Sequence, residues 1–111
     1  MKADNYLGEL EELVLLAILK VGSNAYGVPI KETLEEAGRK ISVGALYATL
    51  DRLEQKGFVK SSQGAPTPER GGKAKRFFNV EGAGMSALRR TQASRKKLMP
   101  ETGLAWRVGR V

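Results

Sequence analysis

Residues 41–57 read ISVGALYATLDRLEQKG, and this segment determines which fold the sequence predicts. Leu46, Leu50 and Leu53 recur at the spacing of one helix face, so an amphipathic helix is predicted here. Ser42 stands at its N-cap, and Gly57 stops it. The opposite face carries residues that are small near the helix N-terminus and so permit close approach to a large partner: Val43, Gly44 and Ala48.

Two further helices are predicted before this one. Residues 7–21 carry apolar side chains at i, i+3 and i+4 spacing, and Gly22 closes that helix. The next helix is predicted to begin after an N-cap at Asn24 and to end near Ala37. Pro29 is compatible with this helix only in the first turn, where its missing N–H costs little.

A hairpin and a fourth helix are predicted after the third helix. Residues 58–62 and 76–80 are rich in aromatic and β-branched side chains, which indicates two short strands. The segment between them is rich in glycine and proline and carries three cations: Arg70, Lys73 and Lys75. The fourth helix is predicted to begin at about Ala83 and to end at Pro100, and its apolar stripe fades into a run of cations.

Positive charge is concentrated in the second half of the chain. The 111 residues include 19 Lys and Arg against 12 Asp and Glu, a net charge of +7. Residues 1–57 carry seven basic and nine acidic residues, whereas residues 58–111 carry twelve basic and three acidic ones. Such asymmetry is typical of a polyanion-binding surface, and charge that serves only solubility is the alternative.

Several classes of protein are excluded by composition. The chain contains no cysteine and no histidine, so it offers no disulfide framework, zinc finger or histidine base. No arrangement of the remaining side chains suggests catalysis, a metal site or a cofactor. The longest apolar run, residues 13–19, is too short to span a bilayer, and no signal peptide is recognised. We therefore expect a cytoplasmic protein with no membrane partner that is not an enzyme.

The order of these elements is that of a winged helix-turn-helix. The predicted fold is mainly α (α+β): three helices, a two-stranded basic wing and a C-terminal helix. In this fold the third helix enters the major groove of DNA, and the wing cations reach neighbouring phosphates. The alternative is a winged helix that serves as a protein- or RNA-interaction module, with a generic basic surface.

Four strings resemble the PadR family of bacterial transcriptional regulators over roughly residues 7–90. They are LGELEELVLLAIL (7–19), AYGV (25–28), ISVGALYATLDRLE (41–54) and PTPERGGKAKRFF (66–78). The resemblance implies a homodimeric, usually repressing regulator that binds a dyad-symmetric operator. It also implies dimerisation through the C-terminal helix, packed against the first helix of the partner. The sequence departs from the family where Ala48 replaces a frequent proline and where Val80-Glu81-Gly82 replaces Leu-Thr-x.

The predicted organisation has three parts. Residues 1–82 are the winged helix-turn-helix DNA-binding domain, residues 83–99 the dimerisation helix, and residues 100–111 a tail too short to fold alone. Contacts across the dimer are predicted from Leu10, Leu13, Val14, Met85, Leu88 and Leu98, and the acidic first helix complements the basic fourth one. Some short relatives enclose planar aromatic compounds between subunits, so Trp106 is a candidate for binding a small aromatic effector. The alternative is that Trp106 only attaches the tail.

The DNA-binding side chains are predicted on the second helix, the third helix and the wing. Tyr47 lies off the leucine stripe, which favours a phosphate contact over half-buried packing. Ser42 caps its helix at an end that also favours phosphate. For Arg52, pairing near Asp51 and a contact to the DNA backbone are both open. Lys73, Lys75 and Arg76 are expected to bind DNA rather than to remain solvated, and a structural role is the alternative for Arg76. Tyr26 is expected to be partly core. The full predicted set is Tyr26, Ser42, Val43, Gly44, Tyr47, Ala48, Thr49, Arg52, Arg70, Gly72, Lys73, Lys75 and Arg76.

Overall fold

The computed structural model describes residues 6–66 and 74–100. These residues form the predicted mainly helical α+β fold, in which three helices precede an antiparallel hairpin and a fourth helix follows it. A short 3₁₀ turn, Gly22–Asn24, joins the first two helices. The elements are α1 (Glu9–Val21), α2 (Gly27–Glu36), α3 (Val43–Gln55), β1 (Val59–Pro66), β2 (Ala74–Val80) and α4 (Gly82–Leu98).

The start of α2 differs from the prediction. Asn24 lies in the 3₁₀ turn rather than at the N-cap, and Tyr26 occupies the N-cap without capping the helix through its side chain. The cause is a contact with the wing: the carbonyl of buried Ala25 accepts a hydrogen bond from Phe78 N at 2.8 Å. This contact holds Ala25 outside the helical conformation. Pro29 is the third residue of α2 and so lies in the first turn, where its missing N–H leaves no helical hydrogen bond unmade.

The predicted features of α3 are confirmed. Ser42 Oγ accepts a hydrogen bond from Ala45 N at 3.0 Å, which satisfies one of the free amides at the helix start. The three leucines of its inner face are almost completely buried. Gly57 follows the helix with a φ of +80°, a left-handed conformation that glycine adopts without strain.

The core lies between the inner faces of all four helices and the hairpin. α1 packs against α2, α3, α4 and β2, so it is the central element of the fold. Full burial of one such apolar side chain contributes about 1.5–3 kcal/mol before entropy is counted. The largest contributors are Leu15, Ile30, Leu46, Leu50, Leu53 and Phe78, each fully buried.

The two strands are longer than predicted at the tip of the hairpin. The pairing runs from Val59 opposite Val80 to Gln63 opposite Arg76, and Pro66 pairs with Ala74 after an irregularity. Because a two-stranded hairpin alone is marginal in water, the burial of Phe78 against the helices stabilises it.

α4 begins directly after the hairpin. Glu81 N donates to the carbonyl of Phe58 at 2.8 Å, and Ala87 and Leu88 enter the core. Gly84 is buried against the same carbonyl, at a distance that leaves no room for a Cβ. None of the helices in the described ranges has the length and apolar content of a membrane span.

Candidate nucleic-acid interface

The outer face of α3 is open along its N-terminal half. Val43 is 58% exposed, and Gly44 and Ala48 are also exposed. A Cβ placed on Gly44 would meet no atom within 4 Å. Ser42, which caps this helix, is exposed beside them. This end of α3 therefore presents backbone and short side chains to any partner that approaches it.

The helix N-termini differ in charge. Neither α2 nor α3 carries an acidic residue in its first turn, whereas α1 carries Glu9, Glu11 and Glu12 there. The free amides and the dipole at a helix N-terminus favour anions such as phosphate. The N-termini of α2 and α3 therefore still favour an anion from a partner, whereas the N-terminus of α1 already has carboxylates of the chain itself beside it.

Tyr47 joins these two helix ends. Its side chain is half-buried, and its hydroxyl lies against Gly27, the first residue of α2. A cleft of about 210 Å³ lies between the starts of α2 and α3. Half-buried packing and a phosphate contact, the two interpretations of Tyr47, are thus both compatible with its position. The ring packs against α2, and it also lines a cleft between two helix N-termini. The cleft is lined by Gly27, Val28, Lys31, Val43, Leu46 and Tyr47.

One face of β2 contacts the start of α2. The Tyr26 ring meets the Phe77 ring edge-on, with centroids 5.5 Å apart. Lys75 Nζ lies 4.4 Å from the centroid of the Tyr26 ring, within the range of a cation–π interaction. Tyr26 is therefore partly buried, as predicted, and it holds a wing cation beside the N-terminus of α2.

The other face of β2 contacts α3. Arg76 Nη2 lies 2.6 Å from Glu54 Oε1 and 3.3 Å from Asp51 Oδ1, and the guanidinium lies over the Phe78 ring at 4.8 Å. Hydrogen bonds from Ser61 and Arg76 hold the pKa of the Glu54 carboxyl below its usual value. Of the two interpretations of Arg76, the structure provides the ion pair within the chain.

Thr49 is placed differently from the prediction, whereas Arg52 forms an ion pair within the chain, one of the two interpretations left open for it. Thr49 is 1% exposed, and its hydroxyl donates to the carbonyl of Ala45 at 2.8 Å, so a direct contact from its side chain to DNA is excluded in this conformation. The reason is that Thr49 shares the buried face of α3 with Leu46 and Leu50. Arg52 lies 3.4 Å from a carboxylate oxygen of Glu11, and about half of its side chain remains exposed.

Two buried glutamates were not identified from the sequence. Glu11 accepts hydrogen bonds from Lys56 Nζ at 2.9 and 3.0 Å and from Gly8 N at 2.8 Å. Glu12 accepts from Arg95 and Gln92 of α4. Their burial could have been predicted from the sequence, because both glutamates stand three or four residues before buried positions on the apolar face of α1 and so share that face. A carboxylate at such a position is buried only with partners.

The predicted dimer residues divide into two groups. Val14 and Leu88 are buried in the core of the single chain, because they lie on the inner faces of α1 and α4, and they leave almost no surface for a partner. Leu10, Leu13 and Met85 are half-buried, and Leu98 is 85% exposed. Within the single chain, one ion pair joins α1 to α4, between Glu12 and Arg95. The other ion pairs of the α1 glutamates are with Arg39, Arg52 and Lys56.

Four predicted site residues lie outside the described residues. Arg70, Gly72 and Lys73 come between the two wing strands in the sequence, and Trp106 comes after α4. Among the described residues, the structure brings Tyr26, Tyr47, Lys75 and the open end of α3 to the region around the starts of α2 and α3.

Comparison with known proteins assigns the family. The model of the transcriptional regulator PadR-like family matches residues 15–90, whereas no curated protein matches the chain. A PadR-like transcription factor from Bacteroides fragilis is 28% identical, with a TM-score of 0.67 over 80% of this chain and 82% of that one. A PadR family regulator from Eggerthella lenta is 26% identical, with a TM-score of 0.66 over 81% and 79%.

A PadR family regulator from Clostridium difficile has a TM-score of 0.68 over 82% of this chain and 91% of that one. At 21% identity, this likeness supports the fold alone. The match to the family model covers most of the described fold, including α3 and the wing strands. The chain therefore belongs to the PadR-like family and is a DNA-binding transcriptional regulator, not an enzyme.

Proposed function

We propose that the protein is a homodimeric repressor that binds a dyad-symmetric operator, with α3 in the major groove and the wing on the adjacent backbone. The observation that carries this proposal is the open N-terminal face of α3, formed by Val43, Gly44 and Ala48. Small side chains there let the helix backbone approach base edges, and the absence of first-turn carboxylates avoids repulsion from phosphate.

Phosphate contacts are proposed beside this face. Tyr47 lines the cleft between the starts of α2 and α3, where its hydroxyl can donate to a phosphate oxygen. Lys75 is held on the Tyr26 ring and adds positive charge to the same side of the molecule. Contacts of this kind fix the position of the protein on the duplex and supply affinity that does not depend on sequence.

Exposed apolar side chains support the dimer. Leu98 and Met99 are 85% and 51% exposed at the end of α4, and they line an open cavity of about 470 Å³ with Arg95 and Pro100. Large apolar side chains at one helix end are typical of an interaction surface. A second copy of this chain is the proposed partner, because two α3 helices related by a two-fold axis match two operator half-sites.

The test is a binding experiment on the upstream region of the protein's own gene. Affinity for this DNA is measured against random DNA of equal length across a salt series. We expect a large specificity ratio at physiological salt and a footprint with half-sites about 10 base pairs apart, or a multiple of that spacing. Weak binding to both DNAs that is lost steeply with salt would contradict an operator at this site and favour the interaction-module alternative.

Two variants test the contacts. Tyr47→Phe removes the hydroxyl without removing the ring, so we expect weaker DNA binding and an unchanged fold. Lys75→Gln is expected to weaken binding to all DNA alike. It should also reduce the slope of log affinity against log salt concentration by about one per subunit. Lys96→Gln on α4 is the matched control, because it removes the same charge from an exposed position on a different element. An equal effect of both lysine variants would contradict the wing contact.

A further inference from the structure

Glu54 joins α3 to both strands of the wing. Its Oε1 accepts from Arg76 Nη2 of β2 at 2.6 Å, and its Oε2 accepts from Ser61 Oγ of β1 at 2.8 Å. Ser61 N lies 3.3 Å from the same Oε2. Each oxygen of one carboxylate therefore binds a different strand. Asp51, one turn earlier on α3, provides a second and longer contact to Arg76.

The opposite face of β2 is fixed by the start of α2. Phe77 contacts the Tyr26 ring, and Phe78 N donates to the carbonyl of Ala25. The base of the wing is thus held from two sides, by α2 through one face of β2 and by α3 through the other. The contact to α2 uses rings and backbone, whereas the polar contact to α3 is made mainly by the carboxylate of Glu54, with the longer contact from Asp51 beside it.

We propose that Glu54 is a positioning residue for DNA recognition, which fixes the angle between α3 and the wing so that both reach the same duplex together. This inference rests on the proposed function, in which α3 and the wing contact one DNA site. Without Glu54, each element would keep its own fold, but their relative orientation would vary. DNA that needs both contacts at once would then be bound less well.

The charge of Glu54 allows its positioning role to be distinguished from a general electrostatic effect on DNA binding. A carboxylate beside a DNA-binding helix repels the phosphate backbone and so lowers affinity for all DNA. Hydrogen bonds from Ser61 and Arg76 lower the pKa of Glu54, so it remains ionised at neutral pH. Its removal therefore has two effects of opposite sign. The electrostatic effect strengthens binding to any DNA, whereas the loss of positioning weakens binding to the operator alone.

Three variants separate these effects. Glu54→Gln leaves one acceptor oxygen where two are needed, so it cannot bind both strands through oxygen. Arg76→Lys keeps the positive charge but replaces a planar fork with a flexible point charge. Glu36→Gln is the control, because it removes the same charge from an exposed position at the end of α2. We expect the ratio of operator to random-DNA affinity to fall about tenfold in the first two variants and to stay constant in the control.

A spectroscopic distance tests the wing angle without DNA. The chain has no cysteine, so spin labels can be attached uniquely after Gln55→Cys on α3 and Gln63→Cys on β1, both exposed positions. Labelled protein is diluted with unlabelled protein so that only distances within one chain are measured. We expect one narrow distance distribution with Glu54 present and a clearly broader one after Glu54→Gln.

The outcomes are distinct. An unchanged distance distribution, or an unchanged specificity ratio in folded Glu54→Gln protein, would overturn the positioning role. If the unmodified protein shows no operator preference, the proposed function fails, and the distance measurement still decides whether Glu54 fixes the wing. Should Glu54→Gln not fold, Ser61→Ala removes the hydroxyl contact to β1 and leaves the longer contact from the backbone N of residue 61. The same broadening and the same fall in specificity are then expected at reduced size.

Discussion

The hydroxyl of Tyr47 on α3 lies against the α-carbon of Gly27, the first residue of α2. A Cβ on Gly27 would stand 2.9 Å from Tyr47 Cζ and closer still to the hydroxyl oxygen. While Tyr47 keeps this orientation, its ring restricts the position to glycine; the backbone does not, because it is helical there. Because Gly27 on α2 has no side chain, the Tyr47 ring on α3 can adopt this orientation.

Gly27→Ala is predicted to displace Tyr47 and so to weaken DNA binding. The first turn of a helix accepts alanine, so the fold should lose no more than about 1 kcal/mol while the ring moves aside. Operator affinity should fall about fivefold, because the proposed hydrogen bond from the Tyr47 hydroxyl to phosphate, about 1 kcal/mol, is lost. Titration of operator DNA and thermal unfolding measure the two quantities.

The matched control is Gly82→Ala, at the first position of α4, where a Cβ meets nothing within 4 Å. This variant should bind DNA as the original does. A double-mutant cycle adds a second check, since Gly27→Ala should cost less affinity in a Tyr47→Phe background. Equal costs in both backgrounds would show that Gly27 acts independently of the Tyr47 hydroxyl.

The local features of the fold were predictable, whereas its long-range contacts were not. The leucine spacing and Ser42 cap of α3 are properties of adjacent residues, so the sequence predicted that helix correctly. The start of α2 is fixed by Ala25 pairing with Phe78 of the wing, a contact that no local signal contains. The same holds for Arg76, whose partner Glu54 meets it only once the hairpin packs on α3.

Burial also divided residues that the sequence pattern had grouped. Thr49 was predicted beside Ala48 as a DNA contact, yet helix geometry turns it into the core, where its hydroxyl bonds to Ala45. Val14 was grouped with Leu13 at the dimer surface, yet only Leu13 is left partly exposed. Single-residue differences along a helix change the direction of the side chain by about 100°, so a set taken from neighbouring positions includes buried members.

Gly84→Ala is predicted to destabilise the protein. Its Cβ would meet the backbone carbonyl oxygen of Phe58 and stand 3.0 Å from Val80 Cγ1, so α4 would have to move away from the hairpin. Overpacking of this kind costs about 1–3 kcal/mol in the free energy of unfolding. Gly82→Ala on the same helix should be neutral or slightly stabilising, and denaturant unfolding of both variants measures the difference. Equal stability would contradict close packing at Gly84.

Acid sensitivity is predicted to depend on Glu11. Burial on its own would raise the pKa of the Glu11 carboxyl, but hydrogen bonds from Gly8 N and Lys56 Nζ outweigh it and hold the pKa below its usual value of 4.5. A depressed carboxyl pKa adds stability above the unfolded value, and this stability is lost as the pH falls through the folded value. The unfolding free energy should therefore decrease from about pH 4.5 downward.

Glu11→Gln should reduce this pH dependence and lower stability at pH 7 by about 1–3 kcal/mol, because Lys56 loses its charged partner in a largely buried site. Glu35→Gln is the comparison variant. It also removes a carboxylate whose pKa is lowered, by Lys31, but this ion pair lies on the exposed face of α2. Its effect on stability should be much smaller. If the two variants unfold alike at every pH, the buried network of Glu11 does not stabilise the fold.

Leu98→Glu is predicted to dissociate the proposed dimer without unfolding the subunit. Leu98 is 85% exposed in the single chain, so its replacement removes no packing from the core. In a two-fold interface the change occurs twice, and the loss of about 1.5–3 kcal/mol per buried leucine raises the dissociation constant at least 100-fold. Analytical ultracentrifugation measures this constant, and circular dichroism checks the fold. Ser86→Glu, near the other end of α4, adds the same charge at an exposed position and should leave the dimer intact. A dimer that persists in Leu98→Glu would place the interface elsewhere than the end of α4.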